Sequence, residues 1–326
     1  MTDSVQSIRR RVQVPADHAG GRLDRVLAQL LPEFSRGRLQ QWIEAGQVWV
    51  DEQPCRVRDK VWGGAVIRLA AELTHCDEHR PQAIALDVVY ADAQILIINK
   101  PAGLVVHPAA GNPDGTLQNA LLHYAPELAA LPRAGIVHRL DKDTTGLMVV
   151  ARTLQAHSAL VEQLQKRVVH REYRALVLGT LVAGGRVDAP IGRHPTQRTK
   201  MAVVRHGREA ITHYRVLESY PGHTLLAVEL ETGRTHQIRV HMTHLHHPLV
   251  GDTTYGARPR PPRGCRPELA AALQSFPRQA LHAIRLGLLH PATGEAMHWE
   301  VPMAADLAAL LRLLRQEAAD VANRLA

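Results

Sequence analysis

Apolar positions along the chain recur first with a helical and then with a strand period. Leu23, Val26, Leu27, Leu30 and Leu31 follow the i, i+3, i+4, i+7, i+8 spacing of one helical face, and Pro32 ends the run. A second helix is predicted from Leu39, Trp42 and Ile43, with Ser35 as its N-cap and Gly46 where a left-handed C-cap belongs. Arg36 and Arg38 then lie in its first turn, where the helix dipole disfavours cations, so an external anion explains them better than helix stability does. Short β-type runs follow at Val48–Val50 and Val66–Leu69. Residues 15–75 read as a small separate unit, residues 76–82, polar, aperiodic and carrying Pro81, as a linker, and residues 83–326 as a larger domain.

In the larger domain, Val88–Tyr90, Ile95–Ile98 and Val105–Pro108 are β-like, and a turn at Asn112–Gly115 leads into a helix predicted over Leu117–His123. Gly135–Val137 and Leu147–Val150 are strand candidates on either side of a polar loop, and Leu225–Leu230 is another. Ile238, Met242 and Leu245 are spaced for a helix that stops before Pro248. Leu307, Leu310, Leu311, Leu314 and Val321 mark a terminal amphipathic helix over 304–325 that should dock on the domain. Strands and helices mix without a βαβ rhythm or an internal repeat, which favours an α+β fold.

A length of 326 residues allows two or three domains, and 45% hydrophobic with 21% charged residues excludes disorder as the main state. The three cysteines, Cys55, Cys76 and Cys265, form no C-x-x-C pair and suggest a reducing compartment. No apolar run approaches the roughly 18 residues of a membrane span, and the first 14 residues are polar rather than signal-like, so the cytoplasm is the expected location. Charge is informative because it is localised. Residues 131–260 hold 19 basic against 10 acidic residues, while the whole chain carries +8. A polyanionic partner follows naturally from such a block. Arg258–Arg263, rich in arginine and proline, reads as a solvated basic loop.

Three segments carry candidate chemistry. The loop His138-Arg139-Leu140-Asp141-Lys142-Asp143-Thr144-Thr145-Gly146 lies between two apolar runs, where a carboxylate can serve as nucleophile, general base or metal ligand, or simply build a turn. Tyr173, in Arg171-Glu172-Tyr173-Arg174, is one of only six tyrosines and offers a plane for base stacking, or else packs in a core. In the segment 233–241, Gly-Arg-Thr-His-Gln-Ile-Arg-Val-His, Arg234 falls at or just before the start of a predicted helix, where its fork of donors suits a carboxylate or phosphate, or else makes a surface salt bridge. Asp141 with Asp143 could also be a glycosidase-like pair. His241, His244, His246 and His247 have metal-like spacing but no accompanying Glu or Cys, and no metal is expected; they read as RNA-facing or helix-capping.

Two resemblances arise from these residues. Gly21-Arg22-Leu23-Asp24, Ser35-Arg36 and residues 43–50, Ile-Glu-Ala-Gly-Gln-Val-Trp-Val, resemble the S4 RNA-binding module. The three later segments, with Leu249-Val250-Gly251-Asp252 and Leu281-His282-Ala283, resemble the pseudouridine synthase family of the ribosomal large-subunit type over nearly the whole chain. That resemblance implies an S4-like module joined to a catalytic domain with a mixed, mainly antiparallel β-sheet flanked by helices. It places the catalytic aspartate on Asp141, the stacking tyrosine on Tyr173 and the aspartate-pairing arginine on Arg234, with Tyr173 also a candidate base for the C5 proton. The expected RNA contacts are Arg36, Arg38, His138, Arg139, Arg193 and Lys200. The implied partner is large-subunit ribosomal RNA or its precursor particle, the implied state a monomer, and no cofactor is expected because the isomerisation is redox-neutral. An RNA glycosylase and a non-catalytic ribosome assembly factor are the competing readings.

Overall fold

The computed structural model describes residues 6–32, 34, 36–73, 80–109, 111–256 and 261–325. The expected cap Ser35, most of the linker 76–82 with Cys76, and Arg258 and Arg260 of the basic loop lie outside the described residues. The chain divides into two compact units, with the division at Asp77.

In the first unit, strands β1 (Gln6–Gln13), β2 (Val48–Val50), β3 (Gln53–Pro54) and β4 (Val66–Leu73) form a four-stranded antiparallel sheet in the order β1-β4-β2-β3. Helices α1 (Leu23–Leu30) and α2 (Arg36–Glu44) contribute Leu23, Val26, Leu27, Leu39, Trp42 and Ile43 to its core, as their periodicity predicts. The run Gln6–Gln13 shows little apolar alternation, so β1 was not legible; its pairing with β4 supplies the order that its side chains do not. Arg36 finds its anion inside the fold. The fully buried Asp24 carboxylate accepts from Arg36 Nε at 3.0 Å, Arg22 Nε at 3.1 Å and Gln40 Nε2 at 2.7 Å. Burial alone would raise the Asp24 carboxyl, but these donors outweigh it and bring it down to about 2. Asp24, rather than an external anion, thus explains the place of Arg36 in the first turn. Arg38, in the same turn, is half-buried.

The second unit opens with β5 (Val88–Ala91) and β6 (Ile95–Lys100), then α3 (Leu117–Tyr124), β7 (Thr145–Ala151), α4 (Leu154–Gln165) and β8 (His170–Leu178). It continues through β9 (Gly185–Asp188), the hairpin β10 (Ile191–Arg193) and β11 (Met201–Val203), β12 (Ile211–Tyr220), β13 (His223–Leu230) and α5 (Gln237–His244). It ends with α6 (Pro267–Ser275), β14 (Leu281–Leu289), β15 (Ala296–Glu300) and α7 (Ala305–Leu325). Nine described strands form one sheet in the order β5-β6-β7-β14-β8-β13-β12-β9, with β15 paired to β14. Every pairing is antiparallel except β7 with β14, so the sheet is mixed and mainly antiparallel. Helix α7 buries Leu307, Leu310, Leu311 and Leu314 against Leu176, Leu225, Leu269 and Leu273.

Two β-like runs are not strands. Val105 and Val106 instead offer their carbonyls to the N–H groups of Leu117 at 2.8 Å and Gln118 at 3.1 Å, satisfying donors that the first turn of α3 leaves open. Around Gly135–Val137 the chain turns through Arg133 and Ala134 at positive φ and touches β7 through a single bridge from Ile136 to Val150.

Candidate active site

The polar loop 138–144 leads directly into β7, near the middle of the sheet. Gly146 permits this: its φ is +111°, and a Cβ there would lie 2.1 Å from the Ala283 carbonyl oxygen on the parallel neighbour β14. The loop is pinned from several directions. The buried Lys100 ammonium donates to the carbonyls of Pro101 at 2.7 Å, Leu104 at 2.9 Å and Lys142 at 2.8 Å. Arg278, held through both oxygens of Asp306 at the start of α7, donates to the Asp143 carbonyl at 3.2 Å. Gln279 donates to the Thr144 hydroxyl at 3.1 Å, and the Thr144 N–H closes a turn onto the Asp141 carbonyl at 3.1 Å. Docking of the terminal helix therefore bears directly on where Asp141 sits.

The arginine that meets Asp141 is Arg239, not Arg234. Arg239 Nη1 donates to Asp141 Oδ2 at 2.9 Å, while its Nε and Nη2 donate to Asp252 Oδ2 at 2.7 Å and Oδ1 at 2.9 Å. Asp252 is buried and also accepts from the N–H groups of Thr254 and Tyr255. Helix α5 begins at Gln237 behind His236, so Arg239 lies within its first turn and faces inward. Arg234 stands before the helix, half-buried, and its Nε donates to the Glu209 carbonyl at 2.8 Å. The segment was legible, but which arginine reaches the carboxylate depends on helix phase and on Asp252, 13 residues further along the chain. Arg239 and Lys100 are thus site residues that sequence reasoning missed.

Tyr173 lies on β8 between β13 and β14, buried among core side chains, and shares with Asp141 the lining of a cavity of about 600 Å³. Arg133, Arg139, Arg167, Arg208 and Arg234 also line it, with Arg171, Arg239, His107 and His236. Such a wall suits a phosphodiester substrate. Burial pushes the Tyr173 phenol above its ordinary pKa, and the nearby Asp141 charge raises it further against the opposing effect of Arg171. Arg171 is buried beside it, and its Nε has no hydrogen-bond partner among the described residues.

Of the expected RNA contacts, Arg139 is exposed at the cavity, and Arg193 and Lys200 sit on or beside the β10–β11 hairpin. His138 also lines the cavity, and its Nε2 accepts from the Val149 N–H on β7 at 3.1 Å, which anchors the loop. His241 is internal, with Nδ1 on the Thr212 hydroxyl and Nε2 on the Ala189 carbonyl, and His247 bonds the Leu178 carbonyl. These bonds correct the RNA-facing reading of the two histidines. Among the described residues, no cluster of three or more His, Cys, Asp or Glu side chains could hold a metal ion, and no helix is long and apolar enough to cross a membrane.

The buried histidines carry a pH signature. Burial, reinforced by Arg171, pulls His138 down to about 3, and burial with Arg278 pulls His282 down to about 4. Both rings ionise near 6.5 in the unfolded chain, so below that pH the unfolded state takes up protons that the native state refuses. Stability is expected to fall as pH drops from 6.5 towards 4, by about 1.4 kcal/mol per pH unit for each histidine. Thermal melting between pH 7.5 and 4.5 checks this; a flat profile would mean that the rings accept protons within the fold.

Comparison with known proteins shows the family to which the chain belongs. Residues 94–244 match the RNA pseudouridylate synthase family and residues 21–67 the S4 domain. The ribosomal large subunit pseudouridine synthase D of Pseudomonas aeruginosa is 57% identical over 317 residues, covering 97% of this chain and 98% of that protein. The Escherichia coli protein of the same name is 52% identical over 313 residues, covering 96% of each. Among solved structures, the human RNA pseudouridylate synthase domain containing 4 superposes with a TM-score of 0.55 at 28% identity, over 70% of this chain and 93% of that one. With an S4 domain ahead of a mixed sheet that presents Asp141 to a basic cavity, the chain belongs to the RNA pseudouridine synthase family and is an enzyme of that kind.

Proposed function

We propose that the enzyme isomerises specific uridines in a hairpin loop of large-subunit ribosomal RNA, with Asp141 as its catalytic carboxylate and no cofactor, and that it acts in ribosome biogenesis as a cytoplasmic monomer. The substrate class follows the names of its relatives. The chemistry rests on one observation above the others: one Asp141 oxygen is held by Arg239 while both side chains line the cavity that Tyr173 shares.

In the reaction the C1′–N1 bond breaks, the uracil turns in place and a C1′–C5 bond forms. C5 gives up its proton and N1 gains one, so neither oxidant nor energy source is needed. An ionised carboxylate can attack C1′, remove the 2′ proton or add to C6. Each route needs Asp141 charged and aimed, which a guanidinium hydrogen bond promotes. The target base must leave its stack at a cost of a few kcal/mol, and stacking on Tyr173, at about 1–3 kcal/mol, offsets much of it. Arg139, Arg193, Lys200 and Arg234 are proposed phosphate contacts, as are Arg36 and Arg38 where their internal bonds leave donors.

The test is tritium release from large-subunit RNA labelled at C5 of uridine. An isomerase releases tritium and leaves pseudouridine, a glycosylase leaves free uracil, and a pure binder does neither. Tritium release from small-subunit RNA at an equal rate would overturn the substrate assignment.

A further inference from the structure

One side chain beside Asp141 is so far without a role. His236 Nε2 lies 3.8 Å from Asp141 Oδ1, the oxygen that Arg239 leaves open. His236 stands immediately before α5 at φ +56°. Its other nitrogen, Nδ1, lies 2.8 Å from the Tyr255 hydroxyl. That hydroxyl accepts from the Met201 N–H at 2.9 Å, at the start of β11. Among the described residues the phenol has no other acceptor for its own proton than His236 Nδ1.

The proton inventory of this chain is therefore directional. With the Met201 N–H filling one acceptor position on the Tyr255 oxygen, the assignment that gives the phenol's own proton a protein partner has it donate to Nδ1, which leaves a neutral imidazole with its single proton on Nε2, facing Asp141. Burial holds the ring below its ordinary pKa, in keeping with a neutral imidazole. Packing supports the chain as a unit: Tyr255 and Met201 lie against Ile191, Ala210 and Val240, where the β10–β11 hairpin meets α5.

We propose that His236 is a positioning residue for Asp141: its Nε2–H, fixed in that tautomer by Tyr255 and the Met201 amide, restrains the open carboxylate oxygen, so the seating of the β10–β11 hairpin is felt at the catalytic acid. The proposal rests on the reading of Asp141 as the catalytic carboxylate. A separation of 3.8 Å is longer than a hydrogen bond, and an approach of under 1 Å on closure over substrate would make one; such bonds commonly tighten only in the reacting complex.

The test uses the full chain in single-turnover tritium release. His236→Asn tolerates the left-handed backbone but is too short to reach Asp141, whereas His236→Gln restores reach and a donor. His236→Asn is expected to lower the single-turnover rate by about 10- to 100-fold, the range of one charge-assisted hydrogen bond, with RNA affinity within about twofold of wild type. His236→Gln should recover most of that loss. Tyr255→Phe should slow the reaction by about tenfold, and Tyr255→Phe with His236→Asn should be no slower than His236→Asn alone, because the two act in series. An Asn variant within about twofold of wild type, a Gln variant as slow as Asn, or losses that multiply in the double variant would each overturn the proposal. Asp141→Asn run in parallel separates the two readings. If it remains active, the assignment of Asp141 has failed; if it is inactive while the His236 variants match wild type, only the positioning role has failed.

Discussion

Asp141→Asn is expected to lower tritium release from large-subunit RNA by a factor on the order of 10⁴ or more, with RNA retention on a filter unchanged. The substitution is nearly isosteric, and the amide oxygen can still accept from Arg239 Nη1, which now meets Asp141 Oδ2 at 2.9 Å. The supports of the loop, Lys100 on the Lys142 carbonyl and Arg278 on the Asp143 carbonyl, do not involve the carboxylate at all. Only the negative charge is lost, and every route from uridine to pseudouridine open to this site needs it, whether as nucleophile or as base. The thermal melt should therefore stay close to wild type while the chemistry stops. A variant that retains a tenth of the wild-type rate would show that the carboxylate is not the reacting group. Free uracil from the wild-type enzyme would instead show that the glycosidic bond is broken but not rejoined.

The extent to which this site was legible follows from how local each signal is. The segments that hold Asp141 and Tyr173 could be singled out because each is short and its residue types suit the chemistry, but residue types alone left a turn or a core role open for each, and only the family resemblance assigned them roles. Helices α1, α2, α3 and α7 were equally legible, since each carries its apolar face within its own sequence. The misses are relational. Arg36 looked like an anion receptor because its anion, Asp24, lies 12 residues away across a helix pair. Arg234 and Arg239 have the same chemistry, and the point where α5 starts, together with Asp252 13 residues beyond Arg239, decides which of them turns inward. Strand β1 has no apolar alternation of its own, and its order comes from β4.

Arg239→Met is the second large effect, and it separates holding the fold from arming the acid. The substitution preserves most of the side-chain volume but leaves Asp252, wholly buried, with the Thr254 and Tyr255 N–H groups as its partners among the described residues. An unpaired buried carboxylate costs about 3–5 kcal/mol, which in a unit of this size corresponds to a melting point lower by roughly 6–20 °C. Asp141 loses its guanidinium at the same time, so the single-turnover rate should fall by about 10³-fold or more. Arg239→Met with Asp252→Asn removes the stranded charge and should recover much of the melting point without recovering activity, since Asp141 still lacks the guanidinium that meets its Oδ2. Arg234→Met is the contrast: its Nε bonds a carbonyl and no carboxylate, so the melt should barely move and any loss should appear chiefly as weaker RNA binding. Should Arg234→Met abolish the chemical step while Arg239→Met spares it, Arg234 would be the arginine that arms Asp141 in the enzyme bound to RNA, and the free arrangement, with Arg239 on both carboxylates, would have to be remade when substrate binds.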